Sequence, residues 1–300
     1  MKTHDCEPTL NDGQVLEFCK SGILRLERVV PDEIKRRVYD YLDQHPILEP
    51  SELLTDEPWF VENVILNPEA VGAIRSLLGR NFGLPILMSN HRHTEQSPAL
   101  KWHTDGYHER SPLLNYLQVF YYPQDVTCEM GPTELLPGSH FRYSMSDFMG
   151  HYGNLRNVYS TAAPAGTVFI TIYSVWHRKS TSVVGGRTRN LMKYNYYRTV
   201  PPKRDWIKEP GFDFATAKYG NEPSHPFRRQ LRDTVSGSEM MFWLSGLSDK
   251  YYAVGGQNWP CTNKDAKFVD TPYGYPLTRD GERFPRPDWT EDDAKTTVSP

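Results

Sequence analysis

The 300-residue sequence contains no apolar run approaching the roughly eighteen residues that a membrane-spanning helix requires, which argues against a membrane partner. Its start, Met1-Lys2-Thr3-His4-Asp5-Cys6, lacks the apolar stretch and small-residue cleavage site of a secretory signal. Cysteine is scarce. Cys6, Cys19, Cys128 and Cys261 are widely scattered and form no C-x-x-C, so neither a disulfide framework nor a thiolate zinc site is expected. They read as free thiols of a cytoplasmic protein. There is no surplus of positive charge either. The 34 Lys and Arg against 37 Asp and Glu give a net charge of −3, which leaves no electrostatic footprint for nucleic acid. A small-molecule partner is the remaining expectation, and repeats and low-complexity tracts are also missing.

What is present is a change of periodicity along the chain. The first eighty residues read as helical with one strand. A short helix at Gln14–Cys19 ends at Gly22, a strand follows over Ile23–Val30, and helices fit Pro31–Gln44 and Pro68–Leu78. From Leu84 the pattern becomes β, with strands expected at Ile86–Asn90, Leu117–Tyr122, Thr167–Tyr173 and Leu191–Tyr197. Helices first and strands later predict an α+β fold with a jelly roll as its β part. We expect a single domain over 1–300, with the jelly-roll core at about 84–200 and a C-terminal extension or lid over 201–300. That extension carries a helix around Pro226–Leu247. Its aromatics, Trp206, Phe212, Phe214, Phe242, Trp243, Tyr251, Tyr252 and Trp259, either pack it onto the barrel or build an apolar lid.

The chemistry concentrates at His103-Thr104-Asp105, followed about seventy residues later by His177 and then Arg189. Residues two apart on a strand share a face, so His103 and Asp105 offer an imidazole and a carboxylate to one ion. A distant second histidine completes two imidazoles and one carboxylate, the facial set of non-haem Fe(II) oxygenases, which leaves coordination positions open. An arginine beyond the second histidine suits a bidentate pair with a co-substrate carboxylate. A bare H-x-D pair also occurs beside solvent, and a histidine after an apolar run such as Thr171–Trp176 is often a satisfied core residue. The ensemble carries the reading.

In order, the segments HTDG (103–106), GPTELLPGSH (131–140), VWHR (175–178) and RTRNLMKYNYYR (187–198) closely resemble the phytanoyl-CoA dioxygenase (PhyH) family. The resemblance is strong over about 85–200, weaker before, and without a match beyond about 205. It implies a double-stranded β-helix, a cupin-like barrel, with Fe(II) held by His103, Asp105 and His177, and with 2-oxoglutarate and O₂ as co-substrates. The implied reaction hydroxylates an unactivated C–H bond of a small organic molecule and releases succinate and CO₂. Desaturation, epoxidation, cyclisation or endoperoxide formation in secondary metabolism are alternative outcomes, and a non-catalytic jelly-roll binding protein is a remote one. Asp105 stands where related halogenases carry a small residue, which disfavours halogenation.

The family's co-substrate arginine sits about eleven positions after the second histidine; here Arg187 is at ten and Arg189 at twelve. The pattern R-x-R-N-L leading into a strand selects Arg189. Arg187 either shares its face or stays in the turn after Gly185-Gly186. Lys179 replaces a serine that many relatives use on the same carboxylate. Asn90 falls on the strand that in relatives hydrogen-bonds 2-oxoglutarate. The segment Gly131–His140 is expected to be architectural, with His140 a hydrogen-bonded loop histidine. His91, His93, His108 and His151 have no spacing that recommends them as ligands, and Tyr107 and His108 could line a substrate pocket.

Overall fold

A computed structural model describes residues 2–46, 49–105, 112–142, 149, 151–183, 185–210, 212 and 237–248. After β1 (Thr3–His4), Asn11 begins helix α1 (Asp12–Ser21) with a reciprocal capping box to Gln14, and Gly22 ends it in the left-handed conformation. Strand β2 (Ile23–Leu26) is shorter than its β-branched run, because Arg28 turns the chain at a positive φ. Helix α2 (Asp32–Gln44) follows the expected bounds. Two short helices, α3 (Glu52–Thr55) and α4 (Pro58–Phe60), run into a π turn at Val61–Ile65. Helix α5 (Pro68–Leu78) has Asn67 as its cap and proline in the first turn, where the missing N–H costs nothing.

The strands are β3 (Phe82–Gly83), β4 (Met88–Asn90), β5 (Tyr116–Tyr122), β6 (Thr133–Leu135), β7 (Tyr159–Ser160), β8 (Thr167–Ile172), β9 (His177–Lys179) and β10 (Met192–Tyr197). They form a seven-stranded sheet in the order β1-β3-β10-β5-β8-β2, with β4 also on β10, and a three-stranded sheet in the order β7-β6-β9. Every pairing is antiparallel. The fold is α+β.

Alternation decides which side chains meet. In β10, Met192, Tyr194 and Tyr196 lie on one face, with the Tyr196 hydroxyl donating to the Ile65 carbonyl at 2.6 Å. That face packs on the N-terminal helices in one apolar core, which removes the largest apolar surface from water. Lys193 on the other face is paired in register with Phe120 of β5. This inner face looks across to the small sheet. Tyr122 is 3.4 Å from the Thr133 hydroxyl, and the Phe120 ring meets His177 edge-on at 5.6 Å. Glu134 and Arg178 pair on the outside of the small sheet at 2.7 Å.

The stretch after Pro201-Pro202 docks on the helices. Fully buried Asp12 accepts from the Trp206 indole and the Glu209 N–H, both at 2.7 Å, and from Arg204; Arg75 grips Asp205 at 2.7 Å. Trp206 and Phe242 enter the main core, with Phe212 and Trp243 packed against it. Residues 237–244 are helical. Phe214, Tyr251, Tyr252, Trp259, Cys261 and the start of the expected Pro226–Leu247 helix lie outside the described residues. Among the described residues Cys6, Cys19 and Cys128 are free, and no helix is long and apolar enough to cross a membrane.

Candidate metal centre

His103 and His177 face each other across an antiparallel bridge beside β9. The His103 N–H donates to the His177 carbonyl at 3.0 Å, and the reverse bond is 2.9 Å. Each ring is fixed in the same way. Nδ1 of His103 contacts the Lys101 carbonyl at 2.9 Å, and Nδ1 of His177 contacts the Val175 carbonyl at 3.0 Å. A carbonyl only accepts, so each Nδ1–H donates and each Nε2 is the ring nitrogen left to face the cluster. Both free nitrogens turn to Asp105, at 4.0 Å from His103 and 3.3 Å from His177. The three ligand atoms lie within 4.8 Å of one another.

Asp105 is held from several sides. Gln118 of β5, buried on the inner face, donates to Oδ2 at 2.6 Å, and the Tyr173 hydroxyl donates to the Asp105 carbonyl at 3.1 Å. Lys193 of β10 places its ammonium on Oδ2 and 3.3 Å from Nε2 of His177. Burial pulls the Asp105 pKa upward, yet contact with His177 and the Lys193 charge outweigh it and hold the carboxyl well below its usual range. The His103 imidazole is pushed below its usual pKa by burial and by His177, so it favours the neutral form a metal requires.

The same pocket runs to a second group of cations. Arg189, buried, enters from the segment before β10, where its backbone pairs with His93. Its Nη1 donates to the Gly131 carbonyl at 2.9 Å and its Nε is buried with no hydrogen-bond partner. Among the described residues no carboxylate pairs with it. Lys179, two along from His177 and so on the same face, also lines the pocket and donates to Ser97 Oγ at 2.8 Å. A buried guanidinium with an unused donor calls for an anion.

Of the residues singled out from sequence, His103, His177 and Arg189 therefore line one pocket, and Asp105 joins them through His177 and Lys193. Arg187 is exposed. Asn90 is not brought there. In register with Met192 it points to the helix-packed face and donates to Asn190 at 3.0 Å, while its neighbours His91 and His93 line the pocket. Tyr107 and His108 lie outside the described residues. His140 contacts the Cys19 carbonyl at 3.0 Å, and its segment ties α1 to the run before His177: Gly138 N–H donates to Ser21, Leu136 N–H to Trp176. Gln118, Lys193, His91 and His93 were not anticipated. Parity held a clue to Lys193, which stands four residues from Arg189 on the same strand face. A wider cleft on α2, lined by Glu33, Arg37, Tyr41 and Trp59, lies apart from this chemistry. Its Arg37 is already engaged, stacked on Trp59 at 4.0 Å.

No family model and no curated protein sequence matches the chain. Solved structures do. HygX from Streptomyces hygroscopicus, with nickel and 2-oxoglutarate bound, is similar with a TM-score of 0.53 at 15% identity, over 66% of this chain and 90% of that one. The non-heme alpha ketoglutarate dependent carbocyclase SnoK from nogalamycin biosynthesis gives 0.52 at 15% identity, over 67% and 91%. The epimerase SnoN, of the same biosynthesis and cofactor dependence, gives 0.50 at 12% identity, over 61% and 81%. The likeness is one of fold, which this chain shares with these three proteins.

Proposed function

We propose that this protein is a non-haem Fe(II)- and 2-oxoglutarate-dependent oxygenase, a PhyH-like jelly roll that hydroxylates a C–H bond of a small organic molecule. His103, Asp105 and His177 would hold the iron, and Arg189 the distal carboxylate of 2-oxoglutarate. The observation that carries this reading is the pairing of a three-ligand cluster with a buried, carboxylate-free arginine in one pocket. The donor set fits the ion, since both imidazoles turn Nε2 toward Asp105 and the carboxyl stays ionised. Bound there, iron and the 2-oxo acid supply the activation of O₂. The chain's own residues orient the ligands. Gln118 fixes the carboxylate, and the two backbone carbonyls fix the rings.

SnoK and SnoN, a carbocyclase and an epimerase, favour a second reading of the outcome, in which the same site cyclises, epimerises or desaturates its substrate. Anaerobic visible absorption during addition of Fe(II) and 2-oxoglutarate tests the reading that both outcomes share. A metal-to-ligand charge-transfer band is expected, lost in His177→Ala and weakened in Arg189→Ala. No band with folded protein and reduced iron would overturn it.

A further inference from the structure

Lys193 is a charged pocket group that the proposed ligand set does not use. Its ammonium bonds Asp105 and stands 3.3 Å from Nε2 of His177, the nitrogen left facing the cluster when Nδ1–H donates to the Val175 carbonyl. A divalent ion held by those residues bonds the same atoms at roughly 2.0–2.2 Å. Ion and ammonium therefore exclude each other there.

The surroundings make the displacement costly. The Lys193 side chain is 11% exposed, with its ammonium 5.6 Å from the Phe120 ring centroid. The rest of the pocket lining offers histidines, Lys179 and Arg189, and among the described lining residues no carboxylate. An ion that takes Asp105 thus strips Lys193 of its counter-charge inside a pocket that already holds two cations. A buried ammonium without a partner is strongly unfavourable. An anion entering with the ion restores the balance.

We propose that Lys193 couples the two binding events: it competes with a divalent ion that arrives alone, and pairs with a carboxylate of the ligand that arrives with it. The pairing half rests on the 2-oxo acid reading above. The competition half rests on the ligand cluster alone. Because coupling is reciprocal, the lysine makes metal affinity depend on the co-substrate more steeply than chelation by itself does.

The test is a Co(II) titration followed in the visible bands, alone and with excess 2-oxoglutarate, on the full chain, on Lys193→Met and on Lys193→Gln. Far-UV circular dichroism checks that each is folded, and His177→Ala is the non-binding control. Both neutral variants should bind Co(II) alone at least tenfold more tightly. The factor by which 2-oxoglutarate tightens Co(II) should fall at least fivefold. Unchanged or weaker Co(II) binding in both variants overturns the competition, and an unchanged 2-oxoglutarate factor overturns the pairing. If 2-oxoglutarate alters Co(II) binding in none of the three proteins, the co-substrate reading falls and takes the pairing with it. The competition is still decided by Co(II) alone.

Discussion

His103 and His177 are joined through their backbones, each N–H donating to the other's carbonyl at 3.0 and 2.9 Å. Their rings are then fixed by one device used twice, an Nδ1 contact to the carbonyl two residues back. Two of the proposed ligands are thereby set by sheet hydrogen bonding rather than by loop conformation, so little ordering remains for an ion to impose. The third, Asp105, is set by a side chain from the opposite sheet.

That side chain is Gln118, and removing it should loosen Asp105 without disturbing either imidazole. Gln118→Leu is expected to lower Co(II) affinity by about ten- to a hundredfold, the usual effect of losing a group that orients a ligand. The thermal midpoint should change little, because leucine suits the buried position. Wild-type affinity in a competition assay with a chromophoric chelator would show that Asp105 needs no such support.

Local rules made α1, α2, α5 and the central strands legible. Gly22, Pro68 and the alternation of Met192–Tyr197 each state a backbone requirement in the residue itself. The His103, Asp105 and His177 cluster was also expected, although 103–105 forms no strand: His103 makes a single bridge to His177 and Asp105 sits in a bend. What stayed hidden depended on contacts between distant segments. Asn90 and His91 are neighbours, and only the register of β4 on β10 decides which one enters the pocket. Gln118 and Lys193 reach Asp105 from β5 and β10, a relation that no spacing along the chain encodes. Likewise, nothing local marks Asp12 as the anchor of Trp206 and Arg204.

Two of those hidden histidines give the protein a pH dependence. Burial, then the charges of Lys193 and Arg189, push His91 from 6.5 down to about 4; burial, then Arg189 and Lys179, do the same for His93. Unfolded, both imidazoles titrate near the ordinary value, so the unfolded chain takes up protons first as the pH falls. The stability these residues contribute is complete above pH 6.5 and is lost progressively toward pH 4. The urea midpoint, measured with chelator present, should decline over that window. The His91→Gln/His93→Gln double variant should decline less steeply, and parallel curves would contradict the assignment.

Asp12 offers a test of how the segment after Pro202 is attached. Its buried carboxylate gathers the Trp206 indole, the Glu209 N–H and the Arg204 guanidinium at the start of α1. Asp12→Ala removes the acceptor for all three, and breaking a buried charged network from one side costs about 3 kcal/mol or more. Chemical denaturation should register that loss. Co(II) affinity should stay at its wild-type value, because none of these groups touches the ligand cluster.

Gly22 links the end of α1 to the candidate metal centre. Its φ is 76°, and a Cβ there would stand 2.6 Å from Nδ1 of His140 and 2.8 Å from Cγ2 of Val175. The carbonyl of Val175 is the group that orients His177. Gly22→Ala therefore combines backbone strain with a push on the residue that fixes a proposed ligand. Gly138→Ala is the matched control, since φ is 73° and the nearest atom, the Lys20 carbonyl oxygen, is 3.6 Å away. The control should lose about 1 kcal/mol, the cost of a left-handed alanine. Gly22→Ala should lose roughly 2–3 kcal/mol, with overpacking added to that strain, and should also weaken Co(II) binding severalfold. Equal losses in the two variants, with equal Co(II) affinities, would mean that the structure absorbs the methyl group without moving Val175.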